Sequence, residues 1–253
     1  MRAIEDMSVL ITGGGSGIGE GAARHFAARG ALVTISGRRR EPLEAVAGDI
    51  GSRCRAVVGD VTVADDRAAM VAAAVDHGGG LDALLSNAGN MYRCEVPDFD
   101  EERLLGVFNT NVVGGMMLCK EAHPHLKASR GCIVFVGSVH TQRAFPDASP
   151  YAATKGALEA LTGVLAAELG RDGIRVSCVR PGGVLTEINV RAGLGTAEEQ
   201  RERLESMGNM HALGRIGTAE EIAEAFEYLV RAEWTTGNVM TVDGGLGLGV
   251  TQA

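Results

Sequence analysis

Short apolar runs alternate with helical stretches along this chain. Residues 7–12 form an apolar run that stops at a glycine cluster. Residues 18–29 follow, with Ile18, Ala22, Ala23, Phe26 and Ala27 at helical spacing on one face and Gly30 closing the helix. Further apolar runs occupy 31–36, 55–58, 81–85, 132–136, 174–179 and 238–242. Helical patterns cover 41–47, 64–76, about 100–127, 150–170 and 218–231 between them. Pro124 predicts an interruption or bend in the stretch over 100–127. Ser149 is placed to cap the next helix and Pro150 to be its first residue, with Leu158, Leu161 and Leu165 recurring behind them. Thr218 and Glu221 make a capping box, and residues 184–213 are less regular.

Seven apolar strands alternating with helices predict an α/β fold: one doubly wound, Rossmann-like parallel sheet of seven strands, with helices on both faces. No linker-like change of composition appears, so residues 1–253 read as a single domain with a substrate-loop segment at about 184–213. Ligands of such sheets bind beyond the carboxyl ends of the strands. The distinctive residues of this chain fall at those ends. Gly13, Gly15, Gly17 and Gly19 lie between the first strand and first helix, where glycines admit a pyrophosphate and the helix N-terminus offers N–H groups to it. Their spacing, Gly13-x-x-x-Gly17-x-Gly19, departs from the common G-x-G-x-x-G. Arg38, Asp60, Asn87 to Gly89, Ser138 and Pro181 to Gly183 end five later strands.

Tyr151 and Lys155 stand at i and i+4 on a helix, on one face and within reach of each other. A cation beside a phenol favours the phenolate, so this pair predicts a tyrosine that exchanges a proton with a carbonyl oxygen or an alcohol.

Composition narrows the partners. Among 253 residues, 24 Lys plus Arg against 32 Asp plus Glu give a net charge of -8, which argues against nucleic acid. No stretch approaches a membrane span, so no membrane partner is expected. The five cysteines contain no C-x-x-C pair, which points to reduced thiols in a cytoplasmic setting and to no metal site.

Taken together, Thr12-Gly-x-x-x-Gly-Ile-Gly19, Asn87-Ala-Gly89, Asn111, Ser138, Tyr151-x-x-x-Lys155 and Pro181-Gly182 resemble the short-chain dehydrogenase/reductase family. The chain is similar to its branch of about 250 residues, over 9–245, and Ser138 precedes Tyr151 by 13 residues, the usual family interval. The resemblance implies an NAD(P)-dependent oxidoreductase of carbonyls and alcohols with a small-molecule substrate. Tyr151 would be its general acid/base and Ser138 the partner of the substrate oxygen. Lys155 would hold the nicotinamide ribose and tune Tyr151, and Asn111 would hold a proton-relaying water. The cofactor would lie on the loop through Ser16 and Ile18. It would meet Asp60 and Val61 at the adenine, Asn87, Ala88 and Gly89 along the adenosine side, and Pro181, Gly182, Val184 and Thr186 at the nicotinamide. Relatives pair their long helices, here 100–127 and 150–169, so a homotetramer is expected. A non-enzymatic dinucleotide sensor on the same fold is the alternative. An epimerase or dehydratase fits less well, since such relatives carry Gly-x-x-Gly-x-x-Gly.

NADP(H) is favoured over NAD(H). The second strand ends at Gly37 instead of an acidic residue, no Asp or Glu occurs over 31–40, and Arg38 follows with a guanidinium suited to a 2′-phosphate. Ser16 stands where many NADP-preferring relatives carry Lys or Arg, so one expected cation is missing. Ser86 replaces an Asn that often precedes Asn-Ala-Gly. Residues 91–95, 140–147 and 184–211 are expected to wall the substrate pocket, the last as a mobile lid. They offer Met91, Phe145, Ile188, Met207 and Met210 together with Arg93, His140, Arg143 and His211, so a lipophilic ketone and an acidic carbonyl compound both remain open. Arg93 and Arg143 are expected to be solvated charges.

Overall fold

In the computed structural model, which describes residues 1–250, seven parallel strands form one sheet. They are β1 (Ser8–Thr12), β2 (Leu32–Gly37), β3 (Cys54–Val58), β4 (Ala83–Ser86), β5 (Cys132–Val136), β6 (Arg175–Pro181) and β7 (Val239–Val242). The order is β3-β2-β1-β4-β5-β6-β7. Chain direction across the sheet therefore reverses at β1, which pairs with β2 on one side and β4 on the other. That reversal opens a crevice beyond the ends of β1 and β4.

Both faces of the sheet are covered, and β1 shows how. Val9 and Ile11 point into one apolar layer with Phe26 and Phe226, from α1 (Gly17–Ala28) and α9 (Ala219–Arg231). Leu10 points into the opposite layer with Met70 of α3 (Ala64–Gly78) and Leu118 of α5 (Gly114–Ser129). All three strand residues are fully buried. Burial on two sides explains why the strands read as unbroken apolar runs. Leu43 of α2 (Arg40–Ile50) joins the first layer and Leu158 of α6 (Ser149–Leu169) the second. The capping box at Thr218 and Glu221 starts α9 as expected.

Three expectations from the sequence are corrected. Pro124 breaks nothing: it lies inside α5 on its exposed side, where water can satisfy the carbonyl that loses its partner. The interruption lies earlier. A single π-turn at Asn109–Val113 separates α4 (Glu101–Phe108) from α5, and its wider winding turns Asn111 into the interior. Ser149 is not a cap, because α6 begins at Ser149 after Ala148, with no side-chain cap bond. Pro150 is tolerated one residue further in, since the first turn has no intrahelical partner for its N–H. Finally, the segment 184–213 is not irregular throughout. It holds α7 (Ile188–Arg191) and α8 (Ala197–Ser206), the latter started by a capping box of Thr196 and Glu199. Among the described residues, no helix is long and apolar enough to cross a membrane.

Candidate active site

One cleft runs along the carboxyl edge of the sheet from Arg38 past Gly13 to Tyr151 and Met207. Its floor at the crevice is the glycine loop. The Thr12 hydroxyl accepts from the backbone N–H groups of Asn87 (3.0 Å) and Ala88 (2.9 Å), while Asn87 Nδ2 donates to Thr12 O (2.8 Å). The β1 and β4 ends are thereby locked together. Asn87 Nδ2 also reaches Gly13 O (3.3 Å), and both Asn87 and Ala88 line the cleft. Gly13 and Gly17 have φ of +68° and +56°, where a Cβ strains the backbone. A Cβ on Gly19 would stand 2.2 Å from Gly13 O, so that glycine lets α1 press against the loop. Gly15 packs on Pro42 and Leu43, and neither Gly15 nor Gly19 lines the cleft. At the α1 N-terminus the Ser16 side chain makes no cap bond, leaving the first N–H groups to an outside acceptor. A tight backbone cradle with unpaired donors fits a dinucleotide pyrophosphate.

At the end of β2, Gly37 has no neighbour within 3.6 Å of an added Cβ, the nearest atom being Leu43 Cδ1 at 3.7 Å. Arg38 lies beside it with Nη1 3.8 Å from Asp60 Oδ2, and Asp60 Oδ1 accepts from Thr62 N (2.9 Å). Val61 closes the floor against Gly114, where an added Cβ would meet Val61 Cγ2 at 2.9 Å. Arg191 of α7 faces the same cleft, its guanidinium pKa lowered by burial and then by nearby Arg39.

At the other end the chemistry gathers on α6. Lys155 is buried and donates to Val136 O at 2.8 Å. Burial lowers its pKa to about 8. Tyr151 is buried too, and its pKa is pushed up to about 12, burial outweighing the opposing hydrogen bond with Ser138 and the charge of Arg93. Lys155 Nζ sits 5.4 Å from the Tyr151 ring centre. The pair is adjacent as expected, but an acidic phenol is not a property of the protein by itself, because desolvation dominates. Asn111 does not line the cleft. Its Oδ1 accepts from Asn90 N (2.7 Å) while its Nδ2 donates to Asn90 O (2.9 Å) and Thr154 Oγ1 (3.0 Å). Gly89 lies between it and Lys155 Nζ.

Known proteins with this arrangement settle the relationship. The family model described as Enoyl-(Acyl carrier protein) reductase matches residues 13–247. The (+)-borneol dehydrogenase 1 of Salvia officinalis is 36% identical, covering 96% of this chain and 95% of its own. The glucose 1-dehydrogenase of Gluconobacter oxydans is 34% identical, covering 95% and 91%. A crystal structure of 3-ketoacyl-(acyl-carrier-protein) reductase from Brucella melitensis complexed with NADH superposes with a TM-score of 0.88, at 32% identity, covering 96% of this chain and 99% of that one.

The chain belongs to the short-chain dehydrogenase/reductase family. It is accordingly an NAD(P)-dependent oxidoreductase of carbonyls and alcohols.

In this short-chain dehydrogenase/reductase the substrate end of the cleft has both an apolar and a polar wall. Met91, Phe145, Leu204 and Met207 supply apolar surface, and Ile188 of α7 joins them. Arg93 is not the solvated charge expected: its side chain is 12% exposed, pairs with Asp147 at 2.9 Å and points an Nη2 donor at His140 Nε2, 3.3 Å away. Arg143 donates to Leu246 O (3.1 Å) and Met210 O (3.4 Å), outside the cleft. Met210 and His211 are likewise not in the wall. His211 is buried, and its Nε2 accepts from Gly183 N at 3.3 Å. Pro181, Gly182, Val184 and Thr186 do line the cleft, and Thr186 packs on Gly17. Reading the sequence missed Arg39 and Arg191 near the adenosine end and the pairing of Arg93 with His140. The arginine run after Gly37 was a signal for the first; nothing local announced the others.

Proposed function

We propose that this enzyme interconverts a compact, largely apolar ketone and its secondary alcohol, preferring NADP(H), with Tyr151 as the general acid/base. The observation that carries this reading is the meeting of Ser138, Tyr151 and Lys155 in the same cleft as the glycine cradle. When bound, the nicotinamide supplies or accepts the hydride. Tyr151 gives its phenolic proton to the oxygen that gains charge, and Ser138 donates a second hydrogen bond to it. Lys155 holds the ribose and, once its charge is drawn to the ribose and the phenol, favours release of the Tyr151 proton. Asn111 acts through Asn90 and Thr154, keeping the loop after β4 in place. The remaining contacts proposed for the cofactor are the loop from Gly13 through Gly15, Ser16, Gly17 and Ile18 to Gly19, then Arg38, Asp60 and Val61, and Asn87, Ala88 and Gly89. Pro181, Gly182, Val184 and Thr186 take the nicotinamide end.

An apolar substrate is favoured because Met91, Phe145, Ile188, Leu204 and Met207 line the substrate end, and the terminal nitrogens of Arg93 are engaged by Asp147 and His140. NADP(H) is favoured because Gly37 presents no carboxylate and three arginines, Arg38, Arg39 and Arg191, stand near the adenosine end. Residues 1–253 act as one domain, with 184–213 roofing the substrate. Exposed Leu105 on α4, Val113 in the π-turn, Met116 on α5 and Val164 on α6 supply apolar surface on the long helices, and Trp234 is fully exposed elsewhere, which supports a homotetramer. Unpaired cysteines support a cytoplasmic setting.

A screen of cofactor oxidation over cyclic and aliphatic ketones, keto acids and sugar carbonyls tests the reading. Turnover fastest with an apolar ketone is expected. No turnover of any carbonyl or alcohol, with dinucleotide still binding, would return the sensor alternative. Light scattering at micromolar concentration should show four subunits.

A further inference from the structure

Ser138 Oγ stands 2.9 Å from His140 Nδ1, and His140 Nε2 stands 3.3 Å from a guanidinium nitrogen of Arg93. An arginine can only donate, so His140 Nε2 must be an acceptor without a proton. The ring's remaining proton then sits on Nδ1 and points at Ser138 Oγ. The backbone N–H of His140 donates to the same oxygen at 3.3 Å. Both acceptor positions of Ser138 are thus filled, and its hydroxyl hydrogen has only one thing left to do: donate.

We infer that His140 is a positioning residue, fixed by Arg93 in the Nδ1–H tautomer, which turns Ser138 into an obligate donor aimed at the substrate oxygen and Tyr151. This rests on the reading of Ser138 as the second donor to that oxygen. The ring is held from all sides. Phe145 packs on it at 4.6 Å, Tyr151 meets it edge-on at 5.3 Å, and Asp147 anchors Arg93 at 2.9 Å. The charged or titratable groups facing it are Arg93 with Asp147 from the loops, and Tyr151 and Lys155 from α6. Burial, Arg93 and Lys155 keep the imidazole neutral, lowering its pKa to about 4. No neutral tautomer other than Nδ1–H fits an arginine on Nε2.

The test uses nitrogen-15 histidine labelling of the whole protein, with the His140 resonances assigned by their loss in His140→Asn. Protonated Nδ1 and bare Nε2 are expected at pH 7 and still at pH 5.5. An Nε2–H tautomer, or an imidazolium at pH 7, would overturn the inference. Kinetics supply the second arm. His140→Phe should lower kcat by roughly 10–100-fold, the usual worth of an orienting partner, with KM and dinucleotide affinity nearly unchanged. His140→Asn, whose amide can place an N–H near the Nδ1 position, should recover most of that loss. In a Ser138→Ala background His140→Phe should have no further effect. Equal damage in both backgrounds, or no recovery by Asn, would reduce His140 to a packing residue. Ser138→Ala alone separates the two failures. Retained turnover there overturns the donor reading and the inference with it, whereas lost turnover with an Nε2–H tautomer overturns the inference alone.

Discussion

Arg39 reaches back across the glycine loop until its Nη2 lies 3.2 Å from the Ser16 hydroxyl, while the same nitrogen pairs with Glu187 at 2.6 Å. Ser16 removes an expected cation from the loop, and Arg39, 23 positions later, brings a guanidinium to its hydroxyl together with the Glu187 carboxylate that pairs with it. The cofactor prediction follows from this geometry. A ligand at a hundredfold excess over its dissociation constant stabilises by ~2.7 kcal/mol, on the order of 5–10 °C for a domain of this size. At equal concentrations NADP(H) should raise Tm more than NAD(H). Arg38→Ala and Arg39→Ala should each shrink the difference by weakening NADP(H) about tenfold while sparing NAD(H). A larger shift with NAD(H) in the wild type would reverse the assignment.

Tyr151→Phe should lower turnover by at least ~10², leaving dinucleotide affinity nearly intact. The pH dependence has a definite sign. A phenol pushed up to about 12 stays protonated in the protein alone, so it is ready to donate toward a carbonyl. Alcohol oxidation needs the deprotonated form and should accelerate as pH rises from neutral, more steeply than ketone reduction changes. Comparing both directions across pH in wild type checks it. More than half of wild-type turnover in Tyr151→Phe would remove Tyr151 from the proton path.

Lys155 should cost stability for the sake of function. Its folded pKa, about 8, lies below the ordinary 10.5, so between those values the unfolded chain binds more protons and stability rises with pH. Below about pH 8 the buried cation destabilises the fold by a constant amount. Lys155→Met removes that penalty and loses the bond to Val136 O, for a net gain of roughly 1–3 kcal/mol at pH 7. Tm should rise by a few degrees at pH 7, the advantage should fade toward pH 10.5, and turnover should be lost. A less stable variant at pH 7 would show that the ammonium's hydrogen bond outweighs its desolvation.

Arg175, buried at the start of β6, donates to Leu229 O (2.6 Å), Val230 O (2.7 Å) and Ala232 O (2.8 Å). It satisfies carbonyls that α9 leaves open at its last turn. Arg175→Met strands them away from water and should lower stability by about 2–4 kcal/mol in denaturant unfolding, with dinucleotide affinity unchanged. A loss under ~0.5 kcal/mol would mean that solvent reaches those carbonyls.

The pattern of apolar residues alone determined the strands, because the inner ones, β1 and β5 above all, are buried on both faces and so carry their burial in their own composition. Residues 132–136 matched β5 residue for residue. Where the match slipped, at 81–85, Leu81 is buried without being a strand residue, so hydrophobicity ran ahead of pairing. The glycine loop and the Tyr151-to-Lys155 step were equally local, set by backbone freedom and helical repeat. The tertiary structure decided whatever depended on distant residues meeting. The π-turn at Asn109–Val113 exists because Asn111 has Asn90 and Thr154 to bond, partners that the helical pattern does not contain. Arg93 became a buried partner of His140, 47 residues away, only when the loops after β4 and β5 folded together. The Tyr151 phenol reversed its expected shift for the same reason. Spacing along a helix brings a lysine near, but the depth of burial that raises the pKa is set by everything packed around it.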